Sequence, residues 1–92
     1  MTPQHPPRHE PEHQRFTLPT TPVSVLDYRL APGRVVFTHT GVPPAHQGQG
    51  LAARLVEAGL HWARDQGLKV EPACSYVQTY LQRHPEWQPL VA

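Results

Sequence analysis

The stretch RVVFTHTGVPPAHQGQGLAARLVEAGLHWARDQGLK, Arg34 to Lys69, decides how this chain folds. Arg34 to Val42 is β-branched and aromatic, as suits a central strand. Pro43 and Pro44 stop it, since neither can donate a ladder hydrogen bond. From Gly50 the period becomes helical: Leu51, Leu55, Ala58 and Trp62, flanked by Ala52, Val56, Gly59 and Ala63, form one apolar stripe. Gly67 supplies the helix stop, and Leu68 to Glu71 begins another strand. A strand–helix–strand unit makes that strand parallel to the first. At its centre Gln47-Gly48-Gln49-Gly50 is a small-residue turn at a helix start. Unpaired backbone N–H groups and the positive dipole end suit such a turn to a phosphate.

Outward from this core, Arg15 to Leu18 reads as a short strand and Val23 to Leu30 as a longer one, with Leu26, Tyr28 and Leu30 on a common face. Ala31-Pro32-Gly33 turns the chain into Arg34, giving an antiparallel three-strand meander. Gly41 is the expected site of a bulge. After Pro72-Ala73-Cys74, Ser75 is the expected N-cap of a C-terminal helix whose apolar side is Tyr76, Val77, Tyr80 and Leu81. Pro85 ends it, His84 is expected to contact its C-terminus, and Trp87, Leu90 and Val91 are expected to return to the core. The expectation is one mixed α+β/α/β domain over residues 15–92.

Residues 1–14 mix Pro, His and Glu with no apolar residue after Met1, and read as a disordered Pro/His-rich tail. His5, His9 and His13 recur every four residues, but the prolines between them argue against the helix that would align them for a metal, and none is assigned. The net charge of +1 argues against nucleic acid as a partner. One cysteine excludes an intrachain disulfide and fits a reducing compartment. No apolar run is long enough to span a bilayer, and no signal-peptide core stands at the N-terminus, so the expected location is cytoplasmic.

Two readings compete for the glycine turn. Gly48-x-Gly50-x-x-Ala53 matches a dinucleotide fingerprint, with Glu71 at the spacing of a ribose contact. That fingerprint follows its strand directly, whereas Pro43, Pro44, Ala45, His46 and Gln47 intervene here. The chain is also short for a doubly wound sheet. A nucleotide P-loop is excluded because no Gly-Lys-Ser or Gly-Lys-Thr occurs. The second reading takes Val42-Pro43-Pro44 and Gln47-Gly48-Gln49-Gly50-Leu51-Ala52, which resemble the acetyl-CoA motif Gln/Arg-x-x-Gly-x-Gly/Ala of GNAT-type N-acetyltransferases. Tyr28-Arg29-Leu30, Val36 to Thr40, Gly67 to Val70, Pro72-Ala73-Cys74, Tyr80 and His84-Pro85-Glu86 extend the resemblance to the small, single-domain branch of that superfamily.

The resemblance implies a truncated GNAT-like fold: meander, helix, parallel-added strand and C-terminal helix. It implies acetyl-CoA as cosubstrate, no metal, and a primary amine of unidentified nature as acceptor. Backbone amides of Gln47, Gly48, Gln49, Gly50, Leu51 and Ala52 would grip the CoA pyrophosphate. The strand edge at Thr40, Gly41 and Val42 would take the pantetheine arm, and an amide near it would polarise the thioester carbonyl.

Candidates for the proton and acyl steps are four. His39 is a base or base relay, or else a core histidine; a one-residue register slip would turn it to the other face. Cys74 is an acyl acceptor activated by the next helix, or a small buried apolar residue. Tyr76 or Tyr80 would reprotonate the departing thiolate, or each is a core residue with a wet hydroxyl. Trp62 and Trp87 read as packing. The chain lacks the N-terminal helices that shape the acceptor pocket in larger members. The missing walls then come from a second subunit in a homodimer or from the histidine-rich tail, or do not exist; the rival reading is a CoA-binding or regulatory module without turnover.

Overall fold

Alternation and β-branching place five strands in one sheet, ordered β1-β2-β3-β4-β5, in a computed structural model that describes residues 6–92. The strands are β1 (Arg8–Glu10), β2 (Arg15–Leu18), β3 (Ser24–Ala31), β4 (Arg34–Gly41) and β5 (Lys69–Pro72). The first four are antiparallel neighbours, and β5 adds parallel to β4. Between β4 and β5 runs helix α1 (Leu51–Asp65), and after β5 comes helix α2 (Ser75–Arg83). The expected elements are therefore present, with β3 and β5 each displaced by one residue from the sequence reading. Among the described residues no helix is long and apolar enough to cross a membrane.

Both helices pack on the same face of the sheet. Leu26, Tyr28, Val35, Phe37 and Val70 from the strands meet Leu55, Val56, Leu60 and Ala63 of α1 and Val77, Tyr80 and Leu81 of α2 in one buried cluster. The helical stripe is thus centred nearer Leu60 than Leu51, which is only half-buried. At Gly59 a Cβ would stand 2.9 Å from both Leu26 Cδ2 and Phe37 Cζ, so the absent side chain lets α1 lie close on the strands. Trp87, Leu90 and Val91 do return to the core. Val91 forms a parallel bridge to Val70, and the Ala92 amide bonds to the Val70 carbonyl at 2.8 Å.

Several expectations are corrected. Leu30 does not share the burial of Leu26 and Tyr28 but is 54% exposed, since it sits near the hairpin end of β3. The bulge lies at Thr38 rather than Gly41, because Asp27 pairs with His39 while Tyr28 pairs with Phe37. The N-cap of α2 is Cys74, and Ser75 is already helical.

The disordered tail is also corrected over Arg8–Gln14; its first five residues lie outside the described ones. Arg8–Glu10 forms a fourth antiparallel strand, so the three-strand meander has one strand more. Its anchor is His9, which stacks on Phe16 at 4.2 Å, meets Trp62 edge-on at 4.9 Å and bonds Tyr28 Oη at 2.6 Å. Arg15 donates to Glu10 at 2.7 Å, which holds the Glu10 carboxyl below its ordinary value. A left-handed Gln14 (φ 50°) closes the turn, its carbonyl accepting from the Tyr28 amide. The ordering entropy that argued against structure here is offset by aromatic surface supplied from β2, β3 and α1. His13 comes near Glu10 and Glu12 on the surface, with Glu10 already committed to Arg15.

Candidate functional site

The chain leaves β4 through Val42 and Pro43 and makes a tight turn at Pro44–His46, with the His46 amide bonded to the Pro43 carbonyl at 2.9 Å. Gln47 Nε2 donates back to the Val42 carbonyl at 3.1 Å, tying the turn to the end of the strand. Gly48 (φ 85°) and Gly50 (φ 76°) are both left-handed, which an L side chain adopts only at a cost. A Cβ at either position would meet nothing within 4 Å, so the demand for glycine within the protein is conformational. Gly50 caps α1 without a side-chain hydrogen bond, and the first turn carries no acidic residue. The first intrahelical bond runs from the Arg54 amide to the Gly50 carbonyl at 3.1 Å, so the amides of Leu51, Ala52 and Ala53 lie before it. A helix start of this kind is able to cradle an anion by backbone alone.

A cavity of about 490 Å³ opens beside the cradle, within the range of small-ligand sites. It runs from Thr40 and Val42 past His46, Gln47, Gly48 and Gly50 to Leu51, Ala52 and Tyr76. His46, which the sequence reading passed over, is part of the wall; Gly41 and Gln49 are not among those lining residues.

Beyond the cavity the sheet divides. Pairing of β4 with β5 ends at Phe37 opposite Pro72, and the Ala73 and Cys74 amides both bond to the Phe37 carbonyl, at 3.0 and 2.9 Å. Past the bulge at Thr38, His39 to Gly41 therefore keep pairing with β3 but have no β5 partner. Across this gap Thr40 Oγ1 stands 3.4 Å from Cys74 Sγ.

Of the four catalytic candidates, the fold gathers Cys74 and Tyr76 near Thr40 and separates the others. Burial pushes the Cys74 thiol up. The Thr40 hydroxyl, the Val77 and Tyr76 amides at the start of α2, and the Thr40 amide outweigh it, leaving the thiol below its ordinary value. Those α2 amides face the sulfur without closing a capping hydrogen bond. Tyr76 lines the cavity and is 39% exposed. Tyr80 is buried, stacks on His84 at 4.0 Å and is not among the cavity's lining residues. Burial, then the nearby Glu57 charge, raise its phenol above the ordinary value. His84 Nδ1 contacts the Tyr80 carbonyl at 2.8 Å, the helix C-terminal contact expected of it.

His39 is exposed and faces the other side of the sheet. Its cross-strand partner is Asp27, whereas Thr40 pairs with the core residue Leu26. Its imidazole leans along β4 over Gly41, where a Cβ would stand 3.0 Å from Nε2. The core-histidine alternative is thereby removed. Thr40 and His39 thus flank the gap from opposite faces of the sheet.

Comparison with known proteins follows this geometry. Residues 15–90 match the family described as GCN5-related N-acetyl-transferase. The chain is similar to Protein NATD1 of Gallus gallus and of Mus musculus, each 36% identical over 63 residues, covering 67% of this chain and 57% of the relative. The Homo sapiens protein is likewise 36% identical over 63 residues, 56% of its length. The match thus spans little more than half the length of these relatives. In structure the chain resembles a GCN5-like protein of Staphylococcus aureus solved in solution, with a TM-score of 0.76 at 22% identity, covering 94% of this chain and 86% of that one. At that identity the likeness speaks for the fold.

Proposed function

This chain belongs to the GCN5-related N-acetyltransferase family, and we propose that it binds acetyl-CoA in the cavity beside Gly48 and Gly50 and transfers the acetyl group to a primary amine. The observation that supports the reading is the continuity of turn, cavity and gap: a glycine-bounded start to α1, an unpaired strand edge beside it, and the parting of β4 from β5 at its end. The amides from Gln47 to Ala52 hold the pyrophosphate. The free edge of β4 at Thr40 and Gly41, with Val42 just beyond it, bonds the pantetheine arm, and an amide there polarises the carbonyl as a fixed donor. The dinucleotide reading loses ground because the cavity ends at a gap in the sheet instead of running over strand ends.

The thioester enters from the helix face, and the amine arrives from the open face that carries His39. His39 takes the proton the amine loses, and Tyr76 supplies one to the departing CoA thiolate. A covalent variant uses Cys74: its thiolate attacks the carbonyl, a carbon–sulfur bond to Cys74 forms, and the bond to CoA breaks. The amine then displaces Cys74 as thiolate, restoring the enzyme. Among the described residues no helix covers the open face, which favours a second reading, a CoA-binding or regulatory module without turnover.

Calorimetry with acetyl-CoA tests the shared premise, with Gly50→Glu as the control that places a carboxylate in the cradle. Binding by the parent chain and not by the variant is expected; no binding by a folded parent sinks both readings. Thiol release with a panel of primary amines then separates enzyme from module. Cys74→Ala with full turnover would leave direct attack as the route.

A further inference from the structure

Thr40 and Cys74 are 34 residues apart in sequence and meet across the gap between β4 and α2. Each side of that contact is fixed by something else. Thr40 is β-branched, which restricts its first side-chain torsion, and its pairing with Leu26 turns it to the helix side of the sheet. The Cys74 amide is bonded to the Phe37 carbonyl at 2.9 Å, which holds the cysteine backbone at the apex of the gap. Thr40 also lines the cavity while Cys74 is not among its lining residues, so the contact joins the cavity wall to a sulfur just outside it. A thiolate has no proton to donate; in the charged form the hydroxyl is therefore the donor and the sulfur the acceptor.

We propose that Thr40 is a positioning residue for Cys74: its hydroxyl donates to the sulfur and holds the thiolate beside the cavity wall. Resting on the reading that this cavity takes acetyl-CoA, the assignment gives Thr40 two tasks, its backbone on the ligand side and its side chain on the nucleophile. The amides of Tyr76 and Val77, at the start of α2, also reach the sulfur. The thiolate is thus held between a strand hydroxyl and a helix N-terminus.

The test is a thiol titration of the whole chain without CoA, by ultraviolet thiolate absorbance and by alkylation with iodoacetamide. Cys74 is the only cysteine, so Cys74→Ala is a complete blank. Thr40→Val keeps the shape and removes the hydroxyl, while Thr40→Ser keeps the hydroxyl and removes the methyl. For Thr40→Val the thiolate fraction at about pH 7 should fall roughly tenfold. Alkylation slows less, about threefold, because a more basic thiolate is intrinsically more nucleophilic. Thr40→Ser should stay within about twofold of the parent on the same scale. A Thr40→Val thiol that titrates as the parent's does overturns the proposal. So does a Thr40→Ser variant that shifts along with Thr40→Val, since packing and not the hydroxyl would then be at work. If Thr40→Val does not fold, Thr40→Ala against Thr40→Ser makes the same comparison. Because no CoA is present, failure of the acetyl-CoA reading shows in calorimetry and leaves this result standing.

Discussion

Beside its ladder with β2, the docking of β1 onto the sheet uses one part-buried imidazole, and that makes it sensitive to pH. Burial lowers the His9 pKa from 6.5, while Glu12 raises it, with burial the larger effect. The neutral ring is therefore the one that stacks on Phe16 and bonds Tyr28. The unfolded chain binds more protons at this residue than the folded one does. Its contribution is accordingly complete above pH 6.5 and is lost as the pH falls below 6.5 through the lowered folded value. From geometry, one net hydrogen bond contributes about 1 kcal/mol and a stacked ring pair about as much. His9→Ala should then cost about 2 kcal/mol at neutral pH, or roughly 10 °C in Tm for a domain of this size. Circular-dichroism melts of parent and variant, at a series of pH values on both sides of 6.5, isolate the effect, because the other histidines cancel in the difference. The Tm gap should be widest above 6.5 and narrow below it. An equal Tm for the two proteins at neutral pH, or a gap that widens with acid, would refute the reasoning.

Three further outcomes follow from the packing and the site. Gly59→Ala should destabilise by about 1 kcal/mol: overpacking against Leu26 and Phe37 costs about 1–3 kcal/mol and the helix propensity gain returns about 1. A raised denaturation midpoint would show that the sheet yields instead. Gly50→Ala, strained at φ 76° but free of clashes, should cost about 1–2 kcal/mol in melts and weaken acetyl-CoA binding in calorimetry. Tyr76→Phe should lower kcat about a hundredfold if Tyr76 is the acid, while Tyr80→Phe changes it little; the reverse order in steady-state kinetics would move the role to Tyr80.

What could be read from the sequence was whatever local pattern determines. The switch from period two to period 3.6 at Gly50, the proline stop at Pro43 and the glycine at Gly67 each act within a few residues, and the strand–helix–parallel strand unit follows from them. Chain-distant packing was not legible. Nothing near His9 in sequence announces Phe16, Tyr28 and Trp62 as its surroundings, so β1 read as tail. Alternation along β4 stayed ambiguous for His39 because the bulge at Thr38 resets which residue faces which way. Gly59 read as one more small residue on a stripe, although its value lies in what Phe37 and Leu26 put beneath it. Within the site, the cradle was legible as a motif. The contact between Thr40 and Cys74 was not, since it exists only where two strands part.

That parting point also acts as a depth gauge. The Phe37 carbonyl, taking both the Ala73 and Cys74 amides, fixes where the two strands come together, and Gly41 ends the free edge. Four residue steps separate them, about 13 Å of extended backbone. On the proposed reading this interval sets how far an acyl group held by its phosphates can reach. A chain zipped two residues further would present its edge about 7 Å shorter and stop the same guest short of the opening. On that reading the reach of the reaction is set by the register of the sheet as much as by the side chains around it.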